Sequence, residues 1–284
     1  MINGPRKRTP RACTLLDPML RTAVVVATFD QPRWLELALR AWMRQTARPF
    51  RLLIADDGSG PETAAVIERL GAGHVRLERS DASFGKCRAV NAAVRRAREL
   101  GCDHLLFTDG DCLPAADLLE RHQWATRPSR FVAGGVVRLS REASIALTPE
   151  TIDSGAFERA EGGDKTRYSL PRPLGRAIDA LLVRRTPFKG GNSSCLLSDF
   201  IRVNGYDERF GWGSEDKELG TRLEHAGVRG YSIRYSAPVF HLWHERPYLD
   251  TSVIARNREL LAETRRTRST RAPAGFEQFR FRPS

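Results

Sequence analysis

The sequence predicts an α/β fold, a mostly parallel sheet flanked by helices. Three observations predict it. Residues 23–27, 52–55 and 105–107 are short runs that are apolar throughout, as strands buried on both faces are. Stretches with apolar side chains at helical spacing separate them. Each run ends in polar residues: Thr28-Phe29-Asp30, Asp56-Asp57-Gly58-Ser59 and Thr108-Asp109-Gly110-Asp111. Polar chemistry therefore gathers at the carboxyl ends of the strands, where open α/β sheets bind ligands.

In chain order, residues 1–20 are basic, rich in proline and weakly periodic, and read as a tail. After the strand at 23–27, Trp34, Leu35, Leu37, Ala38, Ala41 and Trp42 recur at helical spacing. A second strand at 52–55 leads to a helix over 64–70 and a short strand over 74–78. Ser83-Phe84-Gly85-Lys86-Cys87-Arg88 opens a helix carrying Ala89, Val90, Ala93, Val94 and Ala97. The strand at 105–107 follows. Side chains two apart on an extended chain point the same way, so Asp109 and Asp111 can converge, and Gly110 keeps the point between them clear. Converging carboxylates repel unless a cation lies between them, and Mg²⁺ or Mn²⁺ takes oxygen ligands and shares them with phosphates.

The second half opens with an amphipathic stretch, 116–124, and a strand at 131–137. Residues 140–185 are polar and weakly periodic, and read as a mobile segment facing substrate. In 188–197, Gly190 and Gly191 let backbone approach a ligand, and a strand continues past Asn192. Gly211-Trp212-Gly213-Ser214-Glu215-Asp216 places an aromatic and two acids at the start of a helix running to residue 225. Acids there suit the helix dipole, yet an aromatic beside carboxylates also holds a sugar ring. His241 and His244, three apart, have a spacing that serves a metal on a helix or a tight turn. The folded part closes near residue 250. These readings give one domain over 21–250, with a nucleotide-binding half at 21–115 and an acceptor half at 116–250. A C-terminal helix and basic tail (251–284), carrying Phe276, Phe279 and Phe281, follow. That tail suits a disordered end or peripheral contact with an anionic membrane.

The totals narrow the function. The 284 residues carry 46 basic and 34 acidic side chains, a net charge of +12, which favours anionic partners. Arginine concentrates at the two ends, as in flexible tails rather than in a nucleic-acid groove, so no nucleic-acid partner is expected. The five cysteines are scattered without a CxxC, which excludes a zinc ribbon or disulfide framework and fits a reducing, cytoplasmic compartment. No apolar stretch reads as a signal peptide or membrane span. A dinucleotide fold lacks its GxGxxG, and Gly85-Lys86 lacks the remainder of a phosphate loop.

Taken together, the motifs at 24–29, 55–59, 85–91 and 108–111 resemble the family 2 glycosyltransferases of GT-A fold, a Rossmann-like nucleotide-diphospho-sugar transferase. Residues 211–216 resemble the acceptor motif of β-1,4-galactosyltransferases and chondroitin-type polymerases. The resemblance spans roughly 22–246. It implies that Thr28, Phe29 and Asp30 line the nucleotide pocket and that Asp57 binds the uracil edge. Lys86, Arg88 and Asn91 would border the nucleotide and diphosphate, beside Gly110. Asp109 and Asp111 would hold Mn²⁺ or Mg²⁺, with His244 and His241 as further ligand candidates. Asp216 matches the catalytic base and Glu215 its acceptor-binding neighbour. Trp212, with Gly190, Gly191 and Asn192, would face the sugars. The implied activity is an inverting, metal-dependent transfer from a UDP-sugar to a carbohydrate or glycoconjugate hydroxyl. Lys217 departs from the galactosyltransferases, which often carry another acid there. Two other readings compete: a nucleotidyltransferase, which lacks its glycine-rich basic loop here, and a non-catalytic carbohydrate- or polyanion-binding module, which the intact acids disfavour.

Overall fold

The computed structural model describes residues 20–77, 85–159, 172–182, 185–245 and 250–277. Its eight-stranded sheet begins with a parallel unit. Strands β1 (Thr22–Thr28), β2 (Arg51–Asp56) and β3 (Gly73–Arg76) are joined through α1 (Pro32–Met43) and α2 (Pro61–Arg69). Then α3 (Lys86–Glu99) returns the chain to β4 (His104–Asp109), which pairs parallel with β1 from the other side. All seven residues of β1 are buried, which is why its sequence is apolar on both faces. The register sets Ala27 beside both Ala55 and Asp109, so the polar ends of β1, β2 and β4 share one edge.

The second half extends the sheet. After β5 (Cys112–Pro114) and α4 (Leu118–Ala125) comes β6 (Arg130–Arg138), then further on β7 (Ser193–Leu196) and β8 (Arg229–His241). The strand order is β3-β2-β1-β4-β7-β6-β8-β5, with β7 antiparallel to β4 and β6, and β5 antiparallel to β8. The pairing of β6 with β8 is parallel and broken by a register shift at Gly134/Gly135. Three apolar clusters fill the layers on the two faces and beneath α1.

Residues 140–185 depart from the sequence reading. Instead of one mobile segment, the chain forms α5 (Arg141–Ala146), α6 (Pro149–Asp153) and a 3₁₀ turn over Ala156–Arg159, which bury Leu147, Ile152 and Phe157 against α1. Side-chain caps from Ser140 and Thr148 start the two short helices. Arg40–Asp153 (2.9 Å) and Arg44–Glu158 (3.1 Å) ion pairs tie them to α1. Next, α7 (Arg172–Leu181) lies on β8. The expectation for residues 160–171 falls outside the described residues, as does the tail at 1–19.

The C-terminal boundary also shifts. After α8 (Leu197–Arg202) and α9 (Glu215–His225), the chain adds α10 (Thr251–Thr267), which packs on α9. Residues 272–276 then return to the core. Phe276 is buried, meets the Phe200 ring edge-on, and its ring is capped by the Arg95 guanidinium. It is a core residue rather than part of a disordered or membrane-facing end, so the folded unit continues past residue 250. Phe279 and Phe281 lie outside the described residues. Among the described residues no helix is long and apolar enough to cross a membrane.

Candidate active site

A cavity of about 530 Å³ opens where the ends of β1, β2 and β4 face the start of α9. Of the residues singled out from sequence, Thr28, Phe29, Asp57, Lys86, Asp109, Gly110, Asp111, Trp212, Glu215, Asp216, His241 and His244 line it. Thr28 Oγ1 is buried and finds no partner among the described residues, a polar atom left for a ligand. Gly110 donates its N–H to the Ala27 carbonyl at 2.8 Å, and a Cβ there would crowd the Thr28 side chain at 3.0–3.2 Å. Glycine thus lets the Asp-Gly-Asp turn close over β1.

Asp111 anchors one wall. His244 Nε2 lies 3.0 Å from Asp111 Oδ2 and His241 Nε2 lies 3.8 Å from Oδ1. The two imidazoles stack with ring centres 5.4 Å apart. Ligand atoms of Asp111, His241 and His244 fall within 4.8 Å of one another, and those of Asp109, Asp111 and Cys112 do likewise. The His pair belongs to neither a helix nor a tight turn. His241 ends β8, and the next residue, Leu242, donates its N–H to the Asp111 carbonyl at 2.9 Å, which draws both rings onto the acidic turn. Burial alone would raise the Asp111 carboxyl; His241 and His244 hold it instead at about 2. A carboxylate poised in this way, with two imidazoles, is a ready divalent-cation donor set.

Lys86 stands at the first turn of α3, 2.9 Å from Asp109 Oδ1 and 3.6 Å from Glu215 Oε1. Burial works against its charge, but Asp109, Asp216 and Glu215 more than offset this and hold its ammonium well above the ordinary lysine value. Burial, aided by Asp111 and Asp216, raises the Asp109 carboxyl against the pull of Lys86. Burial and the neighbouring Asp216 raise Glu215 to about 7. Glu215 Oε2 accepts the Gly213 N–H at 2.7 Å, fixing the turn that begins α9. Gly213 and Ser214 there have φ of 99° and 73°, so the chain reverses sharply between Trp212 and Glu215. From α10, Asn257 Nδ2 donates to the Trp212 and Gly213 carbonyls at 3.0 and 2.7 Å.

Asp216 faces the cavity one residue further on. The buried Tyr206 donates its hydroxyl to Asp216 Oδ1 at 2.9 Å, and Gly190 lies so close that a Cβ would fall 2.5 Å from that oxygen. Gly191 stands in the same relation to Asp109: a Cβ there would fall 3.2 Å from Oδ2. The glycine pair therefore makes room for two acidic side chains that line the cavity.

Other expected site residues have structural partners of their own. Asn91 is fully buried; its amide donates to the Tyr206 carbonyl and to Glu208, and its oxygen accepts the Tyr206 N–H, so it braces the Tyr206 loop. Asn192 is likewise buried, donating to the Gly135 and Ala237 carbonyls across the β6–β8 register shift. Asp30, between the lining residues Phe29 and Gln31, adopts a left-handed turn (φ 44°) and accepts the Gly60 N–H at 2.6 Å. Arg88 lies on α3 outside the lining, near Glu208. Asp57 reaches the cavity and also accepts the Gly85 N–H at 2.8 Å. Sequence reasoning passed over Tyr206, Gln31 and Arg138. The last two line the cavity as neighbours of a strand end, and Tyr206 lies five residues before the Gly211–Asp216 motif.

Comparison with known proteins bears on both halves. Residues 23–145 match the family model described as "Glycosyl transferase family 2", and residues 181–245 match "N-terminal domain of galactosyltransferase". Validoxylamine A glucosyltransferase of Streptomyces hygroscopicus subsp. limoneus is 29% identical over 223 residues, covering 72% of this chain and 48% of that protein. The chain spans about half the length of the relatives of that name. Two solved structures share the fold. The mannosyltransferase PcManGT of Pyrobaculum calidifontis, in complex with GDP-Man and Mn²⁺, superposes with a TM-score of 0.56 at 18% identity, covering 82% of this chain and 59% of that one. GalNAc-T7 with UDP, GalNAc and Mn²⁺ gives 0.60 at 16% identity, covering 87% and 48%. The curled, mostly parallel sheet is that of the GT-A glycosyltransferases.

Proposed function

We propose that this chain, whose residues 23–145 match the family 2 glycosyltransferases and whose residues 181–245 match a galactosyltransferase domain, transfers a sugar from a UDP-sugar to an acceptor hydroxyl with inversion at the anomeric carbon. One observation carries the reading. Asp109, Asp111 and Asp216 line a single cavity, and the charges of both Asp109 and Asp216 act on Lys86 there.

On the donor side, Thr28, Phe29 and Asp57 receive the nucleoside, and Asp57 suits the N–H edge of uracil as an acceptor. Lys86 presents a fixed positive charge to the diphosphate. A divalent ion fits Asp111, His241 and His244, with Asp109 beside them; the mixed carboxylate and imidazole set favours Mn²⁺ over the oxygen-seeking Mg²⁺. Such an ion would supply neutralisation of the charge that grows on the departing diphosphate.

On the acceptor side, Asp216 takes the proton of the attacking hydroxyl. Tyr206 occupies its Oδ1, which leaves Oδ2 for the acceptor. With its pKa raised to about 7, Glu215 can keep a proton near neutrality and donate a hydrogen bond to a second acceptor hydroxyl. Trp212 offers a flat apolar face to a sugar ring. A single base opposite the leaving group yields displacement with inversion and needs no covalent intermediate.

The test is UDP release from a panel of UDP-sugars with Mn²⁺, with and without chelator, followed by NMR of the product's anomeric configuration. Asp216→Asn is expected to keep nucleotide binding and lose transfer. Unchanged turnover in that variant, or activity surviving loss of both Asp109 and Asp111, overturns the reading.

A further inference from the structure

Helix α7 is built inside out. Amphipathic helices on a globular surface turn their apolar stripe to the core. In α7 the inward residues are Gly175 and Asp179. A Cβ on Gly175 would fall 2.4 Å from the Tyr235 carbonyl oxygen, so glycine lets the helix lie directly on β8. Asp179 is buried and accepts the N–H groups of Tyr235 (3.2 Å) and Ser236 (2.9 Å) and the Ser236 hydroxyl (2.7 Å). These donors lie beside the register shift that breaks the β6–β8 ladder, so the polar face has a structural task on the sheet.

The opposite face carries Leu174, Ala177 and Leu181, spaced three and four apart, as on one side of a helix. Leu174 is 50% exposed and Leu181 81% exposed, with Leu182 also exposed just beyond the helix end. Scattered single leucines on a surface mean little, but an aligned stripe on a short helix marks a contact site. Exposed arginines border it: Arg176 on the flank of the stripe and Arg185 past its end. The whole chain carries a net charge of +12. Apolar side chains rimmed by guanidinium groups match the boundary of an anionic bilayer, where leucines reach the acyl region and arginines stay among the head groups.

We propose that α7 docks this protein on an anionic membrane surface through Leu174, Ala177 and Leu181, with Arg176 and Arg185 on the lipid head groups. This surface is separate from the cavity and does not depend on the transferase reading. It shares β8 with the cavity: Ser236, which meets α7, lies five residues before His241, roughly 17 Å along an extended strand. Docking thus holds the cavity close to the bilayer without occupying it.

The full chain is tested by flotation with vesicles of phosphatidylcholine alone and of phosphatidylcholine mixed with phosphatidylglycerol. Wild type is expected to float with the mixed vesicles and far less with the neutral ones. The double variant Leu174→Ser/Leu181→Ser is expected to lose about tenfold or more in binding to the mixed vesicles, with its melting temperature and its UDP release in solution unchanged. Four outcomes overturn the proposal. Wild type fails to bind the mixed vesicles; the variant binds as well as wild type, which assigns binding to the basic ends of the chain; the variant melts several degrees lower, which means the leucines pack against the protein itself; or light scattering shows a wild-type dimer that the variant abolishes, which makes the face an interface between copies.

Discussion

Tyr206 donates its hydroxyl to Asp216 Oδ1 across 2.9 Å, and that bond joins the core of the fold to the cavity. The Tyr206 ring packs with Phe107 and Phe200, on β4 and α8, while its backbone is held by Asn91 from α3. Asp216 therefore takes its position from β4, α3 and α8, although its own helix begins only one residue earlier. Tyr206→Phe keeps the ring and removes the bond. Transfer is expected to fall about ten- to a hundredfold in kcat, the range of a lost bond to a charged group, with the donor KM little changed. Steady-state kinetics check this; an equal loss in KM would assign Tyr206 to substrate binding instead.

Gly190→Ala tests the other contact of the same carboxylate. The added methyl group would stand 2.5 Å from Asp216 Oδ1 and 2.9 Å from its Cγ, so the side chain must turn aside. A displacement of about 1 Å in a reacting group costs on the order of a hundredfold in rate. Mn²⁺ and UDP affinity, measured by calorimetry, are expected to stay near wild type, because the metal-ligand candidates lie elsewhere in the cavity. Wild-type turnover in this variant would show that Asp216 needs no fixed position.

For the cation, the informative substitution is His244→Ala. It removes the imidazole 3.0 Å from Asp111 Oδ2 and leaves Asp109 and Lys86 in place. Mn²⁺ affinity, followed by electron paramagnetic resonance of the free ion, is expected to drop about a hundredfold, while Asp216→Asn leaves it unchanged. If His244→Ala binds Mn²⁺ as wild type does, His244 is not a ligand.

The strands and α9 were readable from sequence because burial on both faces leaves a chemical trace. Residues 23–27 and 105–107 hold only apolar side chains, and the acids of α9 begin where the glycine-rich turn ends. Buried polar residues leave no such trace. Asn91 and Asn192 sit in stretches rich in glycine or charge and look like ligand contacts, yet both satisfy backbone groups that the tertiary fold has opened, at the Tyr206 loop and at the β6–β8 shift. Asx side chains serve either purpose equally well. The helices within 140–159 were missed for a related reason. They are too short to show a period, and their starts rest on Ser140 and Thr148 caps that read as loop residues. For α10, what the sequence omits is the partner: Asn257 matters because it reaches the Gly-Trp-Gly turn more than forty residues earlier.

Two buried histidines make folding sensitive to acid. His104 bridges the Thr22 and Thr126 hydroxyls at 3.0 Å each, and His122 bridges Ser194 and Asn192 at 2.8 Å each. Burial, with His122 nearby, pushes the His104 ring down to about 3; burial, partly offset by Asn192, pushes His122 to about 4. In the unfolded chain both take up protons near their ordinary value of about 6.5. Below that value the unfolded state binds more protons than the folded one, so stability is full above about 6.5 and declines as the pH falls toward 4. At about pH 5 each histidine is expected to cost roughly 2 kcal/mol relative to neutral pH. Urea unfolding at the two pH values measures the sum. His122→Gln, which can still reach Ser194 or Asn192 but cannot be protonated, is expected to lower stability at neutral pH while removing about half of the acid-induced loss. An unchanged acid-induced loss in that variant would place the sensitivity in another group.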